Sequence, residues 1–83
     1  MNITKLISSL KEGVVTVVFE KIDTKEIRSM ACTLNQKIAK TRTSVSIDPK
    51  SATIVMYALD RNAWRDVRVN TIKNWYEGYP KET

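Results

Sequence analysis

The sequence predicts a small, mainly β domain with five short strands and a short helix at its amino terminus. Two segments rich in β-branched and apolar residues, VVTVVF and TIVMYAL, are each followed by a polar turn and a second strand-like segment. Such residues suit a pleated, half-buried surface. Glycine and proline occur only twice each among 83 residues, so no linker is evident. We therefore expect residues 1–83 to form one domain with a compact core.

The first 13 residues are predicted to form an amphipathic helix. Four apolar residues recur at helical spacing and make one stripe: Ile3, Leu6, Ile7 and Leu10. Asn2 suits the N-cap, and Gly13 suits the position after the last turn. A helix this short is unstable alone in water, so we expect it to pack on the sheet. The alternative is a helix that binds a partner.

Residues 14–76 are predicted to form the barrel, and residues 77–83 a frayed tail. The pattern predicts two hairpins and a last strand after one tight turn: Val14–Ile22 with Glu26–Leu34, Thr53–Leu59 with Trp64–Val69, and Lys73–Tyr76. Five short strands with a single helical turn before the last are typical of an SH3-like or Sm-like barrel, whose closure removes exposed edges. The alternating faces predict the core: Val15, Val17, Phe19, Met30, Leu34, Ile54, Met56, Val67, Val69, Ile72 and Trp75.

The longest irregular segment is Asn35–Ser51. Residues 35–40 can form one helical turn capped by Asn35, and Asp48–Ser51 suits a turn because proline presets its φ angle. Between them, residues 41–47 suit either a short edge strand or a mobile loop. A long connection in a small domain is often functional, and a solvated loop without a role is the alternative.

The residue inventory argues against an enzyme and against a metal site. The chain has no histidine and one cysteine, so it lacks the commonest general base and the usual zinc ligands. No glycine-rich loop could cradle a phosphate, and we expect no cofactor. Cys32 is predicted to be a small core residue in a reducing compartment. No apolar run reaches a membrane span, and the start does not resemble a signal peptide, so a cytoplasmic location is expected.

Basic residues are the best indication of a binding site, since the formal net charge is +5. Arg61, Arg65 and Arg68 lie within eight positions. Arginine binds phosphate oxygens in a bidentate way, and an exposed tryptophan can stack on a base. The predicted nucleic-acid site comprises Arg61, Trp64, Arg65, Arg68 and Lys73, helped by Lys37, Lys40 and Arg42.

Strand alternation complicates this prediction. It places Arg68 on the same face as Trp64 and places Arg65 on the opposite face, unless a twist or bulge intervenes. In the alternative interpretation, Trp64 packs at the barrel rim, with Arg68 stacked across it and paired to Asp66.

Three motifs in this order resemble a known family. MACTLN at Met30–Asn35, WRDVRV at Trp64–Val69 and IKNW at Ile72–Trp75 resemble short phage proteins with a WYL-like, SH3/Sm-like β-barrel. The resemblance covers about Gly13 to Trp75. It implies the barrel, a phage origin and hence the cytoplasm of an infected bacterium, and it implies no enzymatic activity.

Two functions follow as hypotheses. The first is a nucleic-acid-binding module that acts during phage takeover of the host. The second is a protein-interaction module that inhibits or redirects a host or phage protein, and an acidic partner would suit the same positive charge. Fold analogy does not choose between them, and the sequence leaves the oligomeric state open.

Overall fold

The computed structural model describes residues 2–40 and 47–80. These residues form helix α1 and a five-stranded antiparallel sheet. The elements are α1 (Ile3–Glu12), β1 (Val15–Glu20), β2 (Ile27–Thr33), α2 (Gln36–Ala39), β3 (Thr53–Ala58), β4 (Ala63–Arg68), a 3₁₀ turn (Val69–Thr71) and β5 (Ile72–Glu77). The strand order is β4-β3-β2-β1-β5, so β4 and β5 are its edge strands. The predicted mainly β architecture with an amino-terminal helix is confirmed.

The two capping residues that the sequence predicted, Asn2 and Asn35, cap their helices as expected. The Asn2 Oδ1 atom accepts a hydrogen bond from the Lys5 N–H at 3.0 Å and caps α1. Asn35 Oδ1 accepts from the Lys37 N–H at 2.9 Å and caps α2. Each side chain satisfies a backbone donor that has no partner within its helix. The predicted turn at Asp48–Ser51 also forms, with the Ser51 N–H donating to the Asp48 carbonyl at 3.0 Å.

Most strand boundaries differ from the sequence prediction by one or two residues, and three differences change the assignment of a residue. Val69 was expected in the fourth strand but begins the 3₁₀ turn. The last strand was expected at residues 73–76 but runs from Ile72 to Glu77, because it pairs with β1 over almost its whole length. Gly78, expected in the frayed tail, donates its N–H to the Val14 carbonyl at 2.8 Å. The alternatives for residues 41–46 lie outside the described residues.

The core lies between α1 and the concave side of the sheet. Seven of the eleven predicted core residues are buried: Val15, Val17, Met30, Ile54, Met56, Val67 and Ile72. The other four are only partly buried and pack against that core: Phe19, Leu34, Val69 and Trp75. Trp75 is therefore not the fully buried plug that was expected. In the described sheet it lies on the edge strand β5, whose one neighbour is β1.

Helix α1 contributes the large, fully buried side chains that the sequence analysis expected from Trp75. Leu6 and Leu10 are both 0% exposed and belong to the core cluster. The helix is fixed to the end of β2 by a backbone hydrogen bond of 2.8 Å from the Leu34 N–H to the Leu10 carbonyl. The alternative of a helix kept free for a partner is wrong for this apolar face, because it is already covered by the sheet.

Candidate nucleic-acid interface

The two ends of the β1–β2 pair differ in what lies beside them: one end is covered by a helix, and the other borders an open cleft. Val15 pairs with Cys32 at one end, and Glu20 pairs with Ile27 at the other. Helix α1 packs at the first end, beside Thr33. At the second end lies an open cleft with a volume of about 560 Å³. We call it the arginine cleft.

The arginine cleft is lined by three parts of the chain. Its apolar floor is made by Phe19, Met30 and Val67, which belong to the core or pack against it. The remaining lining residues are mostly charged and come from the end of β1 and the β1–β2 turn, from β4 with the turn before it, and from the 3₁₀ turn: Glu20, Lys21, Ile22, Asp23, Arg61, Arg65, Asp66, Arg68 and Thr71. The cleft thus lies between the β1–β2 hairpin and the edge strand β4.

The structure brings together the three arginines that the sequence singled out. Arg65 pairs with Met56, and Val67 pairs with Ile54, so Arg65 shares the core-facing side of β4. Arg68 lies on the opposite side by alternation, yet it also lines the cleft. Among residues 2–40 and 47–80, β4 is an edge strand that pairs only with β3, so side chains from both of its faces can reach the cleft.

The arginines in the cleft are not neutralised by neighbouring carboxylates. Within the described ranges, the one ion pair closer than 4.0 Å joins Arg28 to Glu26 at 3.2 Å, outside the cleft. The expected pairing of Arg68 with Asp66 is therefore not formed. Arg61, Arg65 and Arg68 are all exposed, so their guanidinium groups can be reached by a ligand.

Trp64 lies on the outer face of the β3–β4 hairpin and does not line the arginine cleft. It is partly buried, as the rim interpretation expected, but its partner is aromatic. The Trp64 and Tyr57 rings meet edge to face, with centroids 5.4 Å apart and planes at 83°. Sequence reasoning missed Tyr57, although pairing the hairpin symmetrically about its turn sets Tyr57 opposite Trp64.

The comparison with protein families agrees with this architecture. A family model described as WYL_2, Sm-like SH3 beta-barrel fold, matches residues 3–73. The chain belongs to the WYL_2 family. The WYL-like, SH3/Sm-like resemblance inferred from the sequence motifs is confirmed at that level. No curated protein and no solved structure matches this chain significantly.

The WYL_2 match covers α1 and every residue that lines the arginine cleft. It begins ten residues before Gly13, where the motif-based resemblance began, so α1 is part of the family's domain. The match ends at residue 73, just inside β5. The cleft is therefore a feature of the matched WYL_2 region rather than of the segments outside it.

The other basic residues predicted for the site lie elsewhere on the WYL_2 domain. Lys73 is exposed on β5, and Lys37 is exposed on α2. Lys40 follows α2 in a left-handed conformation and lines a second, separate cleft together with Tyr57 and Tyr79. Arg42 lies outside the described residues. The eight predicted site residues thus do not form one patch.

Cys32 has the environment of a structural residue. Its side chain is 0% exposed, and its thiol donates to the Met30 carbonyl at 3.5 Å. Burial, and to a lesser degree the negative charge of Asp60, raises the pKa of Cys32 to about 12. At neutral pH the thiol stays protonated, and a protonated thiol is neither a nucleophile nor a good metal ligand.

Two further surveys of the structure bear on chemistry and location. Among residues 2–40 and 47–80, no group of three or more cysteine, aspartate or glutamate side chains is arranged to hold a metal ion. No helix in that part of the chain is long and apolar enough to cross a membrane.

Proposed function

We propose that this WYL_2 domain is a small non-enzymatic module that binds nucleic acid weakly and with little sequence preference. The observation that carries the proposal is the convergence of Arg61, Arg65 and Arg68 in one open cleft without ion pairs to the acids beside them. An arginine that has no carboxylate partner keeps its donors available for phosphate oxygens.

The size and charge of the arginine cleft suit a nucleotide held with modest affinity. Its volume of about 560 Å³ falls within the usual range for small-ligand sites. Four basic and three acidic side chains line it, so the net lining charge is 4 − 3 = +1. Phosphate is attracted to the arginines, and the nearby carboxylates limit the affinity. Exposed Lys37, Lys40 and Lys73, together with Arg42, add diffuse attraction to a polyanion.

A single strand suits this surface better than a duplex. The arginine cleft is lined by residues of β4, an edge strand of the described sheet, and Trp64 and Tyr57 lie on the outer face of the same hairpin. A flexible strand can place phosphates on Arg65 and Arg68 and bring a neighbouring base to Trp64. Stacking on aromatic side chains is tolerant of sequence because every base has a π-face.

The test is a salt titration of fluorescence anisotropy with labelled single-stranded and double-stranded oligonucleotides. If four or five phosphates are neutralised, the slope of log K against log salt is about −3 to −5, at roughly 0.7–0.9 per contact. Single strands should bind more tightly than duplexes of the same length. No detectable binding of either probe at low salt would refute the proposal.

A specific observation also favours the second candidate, a protein-interaction module. Ile22 is 62% exposed and Ile27 is 56% exposed, and both flank the β1–β2 turn. Large exposed apolar residues beside a cleft are typical of protein contacts. An acidic host or phage protein would match both these residues and the arginines. Pull-downs with and without nuclease separate the candidates, since a direct protein partner is retained after nuclease treatment.

The setting of this function is also part of the proposal. The sequence motifs resemble those of short phage proteins, and we propose that the domain is a phage accessory protein that acts in the cytoplasm of the infected bacterium. The proposed role needs neither a cofactor nor a metal. Expression during infection, followed by fractionation, would test the location.

A further inference from the structure

The two sides of the arginine cleft carry net charge of opposite sign. Glu20, Lys21 and Asp23, at the end of β1 and in the β1–β2 turn, give a net charge of −1, whereas Arg61, Arg65, Asp66 and Arg68, on β4 and in the turn before it, give +2. Glu20 and Asp23 form no ion pair with those arginines in the described part of the chain. The β1–β2 side therefore offers carboxylate acceptors, and the β4 side offers mainly guanidinium donors.

We propose that the β1–β2 side of the cleft selects bases that carry an amino group on their pairing edge, so that cytosine is preferred over uracil. This inference rests on the proposed binding of single-stranded nucleic acid. It adds a graded preference for base type to a module that otherwise tolerates sequence.

Charge fixes the orientation of a nucleotide in the cleft. A phosphate is drawn to the arginines and repelled by Glu20 and Asp23, so the backbone follows β4. The base then points across the cleft, over the apolar floor of Phe19 and Met30, towards the β1–β2 turn. Its ring meets apolar side chains, and its polar edge meets the two carboxylates.

An ionised carboxylate only accepts hydrogen bonds, so it distinguishes base edges by their donors. The N4 amino group of cytosine donates to a carboxylate, whereas uracil has the O4 carbonyl at that position, which repels it. The one donor on the pairing edge of uracil, N3–H, is flanked by the O2 and O4 carbonyls, so a carboxylate that accepts from it meets repulsion on both sides. Asp23 is held in place because its Oδ1 atom accepts from the Thr24 N–H at 2.9 Å. Its second oxygen is left for a ligand, and Glu20 is half-buried at the end of β1.

The experiment compares the affinities of two labelled homopolymers, a dC 15-mer and a dU 15-mer, which differ only in the base edge. We expect the wild-type protein to bind dC about five- to tenfold more tightly at low salt, the lower part of the range for a base-edge contact. The double variant Glu20→Ala/Asp23→Ala should bind dU more tightly, because two negative charges are lost, whereas dC loses its hydrogen bonds together with that repulsion. The ratio of the two affinities should fall to about one.

The matched control is Glu77→Ala, which removes an exposed acid on β5 outside the cleft and should leave the ratio unchanged. Thermal melting checks that each variant is folded, since Asp23 also bonds its own turn. Equal wild-type affinities for dC and dU would overturn the inference and leave the proposed function standing. So would a double variant that keeps the wild-type ratio. Absence of binding to both probes would overturn the proposed function and the inference together.

Discussion

The polar groups at the two ends of the β1–β2 pair have opposite environments: at one end they are buried and hydrogen-bonded, and at the other they are charged and open to solvent. At the end covered by α1, Thr33 is 0% exposed, and its hydroxyl donates to the Gly13 carbonyl at 2.8 Å and accepts from the Asn35 N–H at 3.0 Å. At the arginine cleft, seven charged side chains lie together without an ion pair among them. The polar groups at the first end are hydrogen-bonded within the chain, whereas the charged groups at the second end are available to a ligand.

This contrast indicates where stability and function reside. No buried side-chain nitrogen or oxygen in the described ranges lacks a hydrogen-bond partner, so the covered end carries no polar penalty. Exposed charges without partners contribute little to folding, and they are where a ligand finds donors and acceptors. Changes at the covered end should therefore lower stability, whereas changes at the arginine cleft should alter binding in a protein that remains folded.

The largest expected effect on stability is at the covered end. Leu10→Ala removes a side chain that is 0% exposed. It should lower the free energy of unfolding by about 2–5 kcal/mol, through lost burial and the cavity left behind. For a domain of this size, each kcal/mol lowers the melting temperature by about 4–8 °C, which calorimetry would detect. The control at the other end, Ile22→Ala, should change stability by about 0.5 kcal/mol at most. Equal effects of the two substitutions would contradict the contrast.

Thr33→Val tests the hydrogen bonds at the covered end while keeping the shape of the side chain. It leaves the Gly13 carbonyl and the Asn35 N–H without this partner. We expect a loss of about 1–3 kcal/mol in urea unfolding. Thr4→Val is the matched control, because Thr4 is exposed on α1 and should lose almost nothing. If both variants unfold at the same urea concentration as the wild type, Thr33 does not fasten α1 to the sheet.

Trp64→Ala extends the comparison to the outer face of the β3–β4 hairpin. Single-stranded binding should weaken by about 1–3 kcal/mol if a base stacks there, and duplex binding should change less. The substitution also removes the edge-to-face contact with Tyr57. Tyr57→Ala serves as a control, because it breaks the same contact but leaves Trp64 in place. Equal losses for single strands and duplexes, measured by anisotropy, would exclude stacking.

The pH dependence of stability tests whether the thiol of Cys32 is desolvated in the core. Its folded-state pKa of about 12 lies above the ordinary value of 9.0. The native state therefore holds the proton more tightly than the unfolded state does. The contribution of Cys32 to stability is complete below pH 9 and is lost between about pH 9 and 12, at up to about 1.4 kcal/mol per pH unit. Cys32→Ala should show a shallower decline over this window in urea unfolding. Parallel curves for the two proteins would show that the thiol is not desolvated.

Local patterns were sufficient to predict most of the fold. Both helix caps, Asn2 and Asn35, follow from side chains that accept hydrogen bonds from nearby N–H groups. Strands β1 and β3 follow from runs of β-branched residues, and β2 and β4 follow from the polar turns that join them to those runs. Trp75 was harder to place, because its burial depends on whether its strand lies inside the sheet or at an edge. Strand order is a property of the whole fold, and no local pattern in β5 encodes it.

The candidate site could be predicted only in part, for a similar reason. The arginines were evident from their clustering in the sequence, but alternation alone separates Arg65 from Arg68. Both line one cleft because β4 lies at the edge of the described sheet, where side chains from its two faces can come together. Glu20 and Asp23 are some forty residues away in sequence, and only tertiary packing brings them to the arginines. The position of Tyr57 opposite Trp64, in contrast, could have been predicted by pairing the hairpin symmetrically about its turn.

The most direct test of the contrast between the two ends uses two variants with the same net charge. Arg65→Gln/Arg68→Gln removes two positive charges from the arginine cleft, and Lys5→Gln/Lys11→Gln removes two from α1, so each lowers the formal charge from +5 to +3. In a salt titration with a single-stranded oligonucleotide, the arginine variant should reduce the slope of log K against log salt by about 1.4 units, because each lost phosphate contact on a single strand removes about 0.7. The lysine variant should bind like the wild type. Equal slopes for the two variants would show that binding follows total charge, which would contradict the assignment of the site to the arginine cleft.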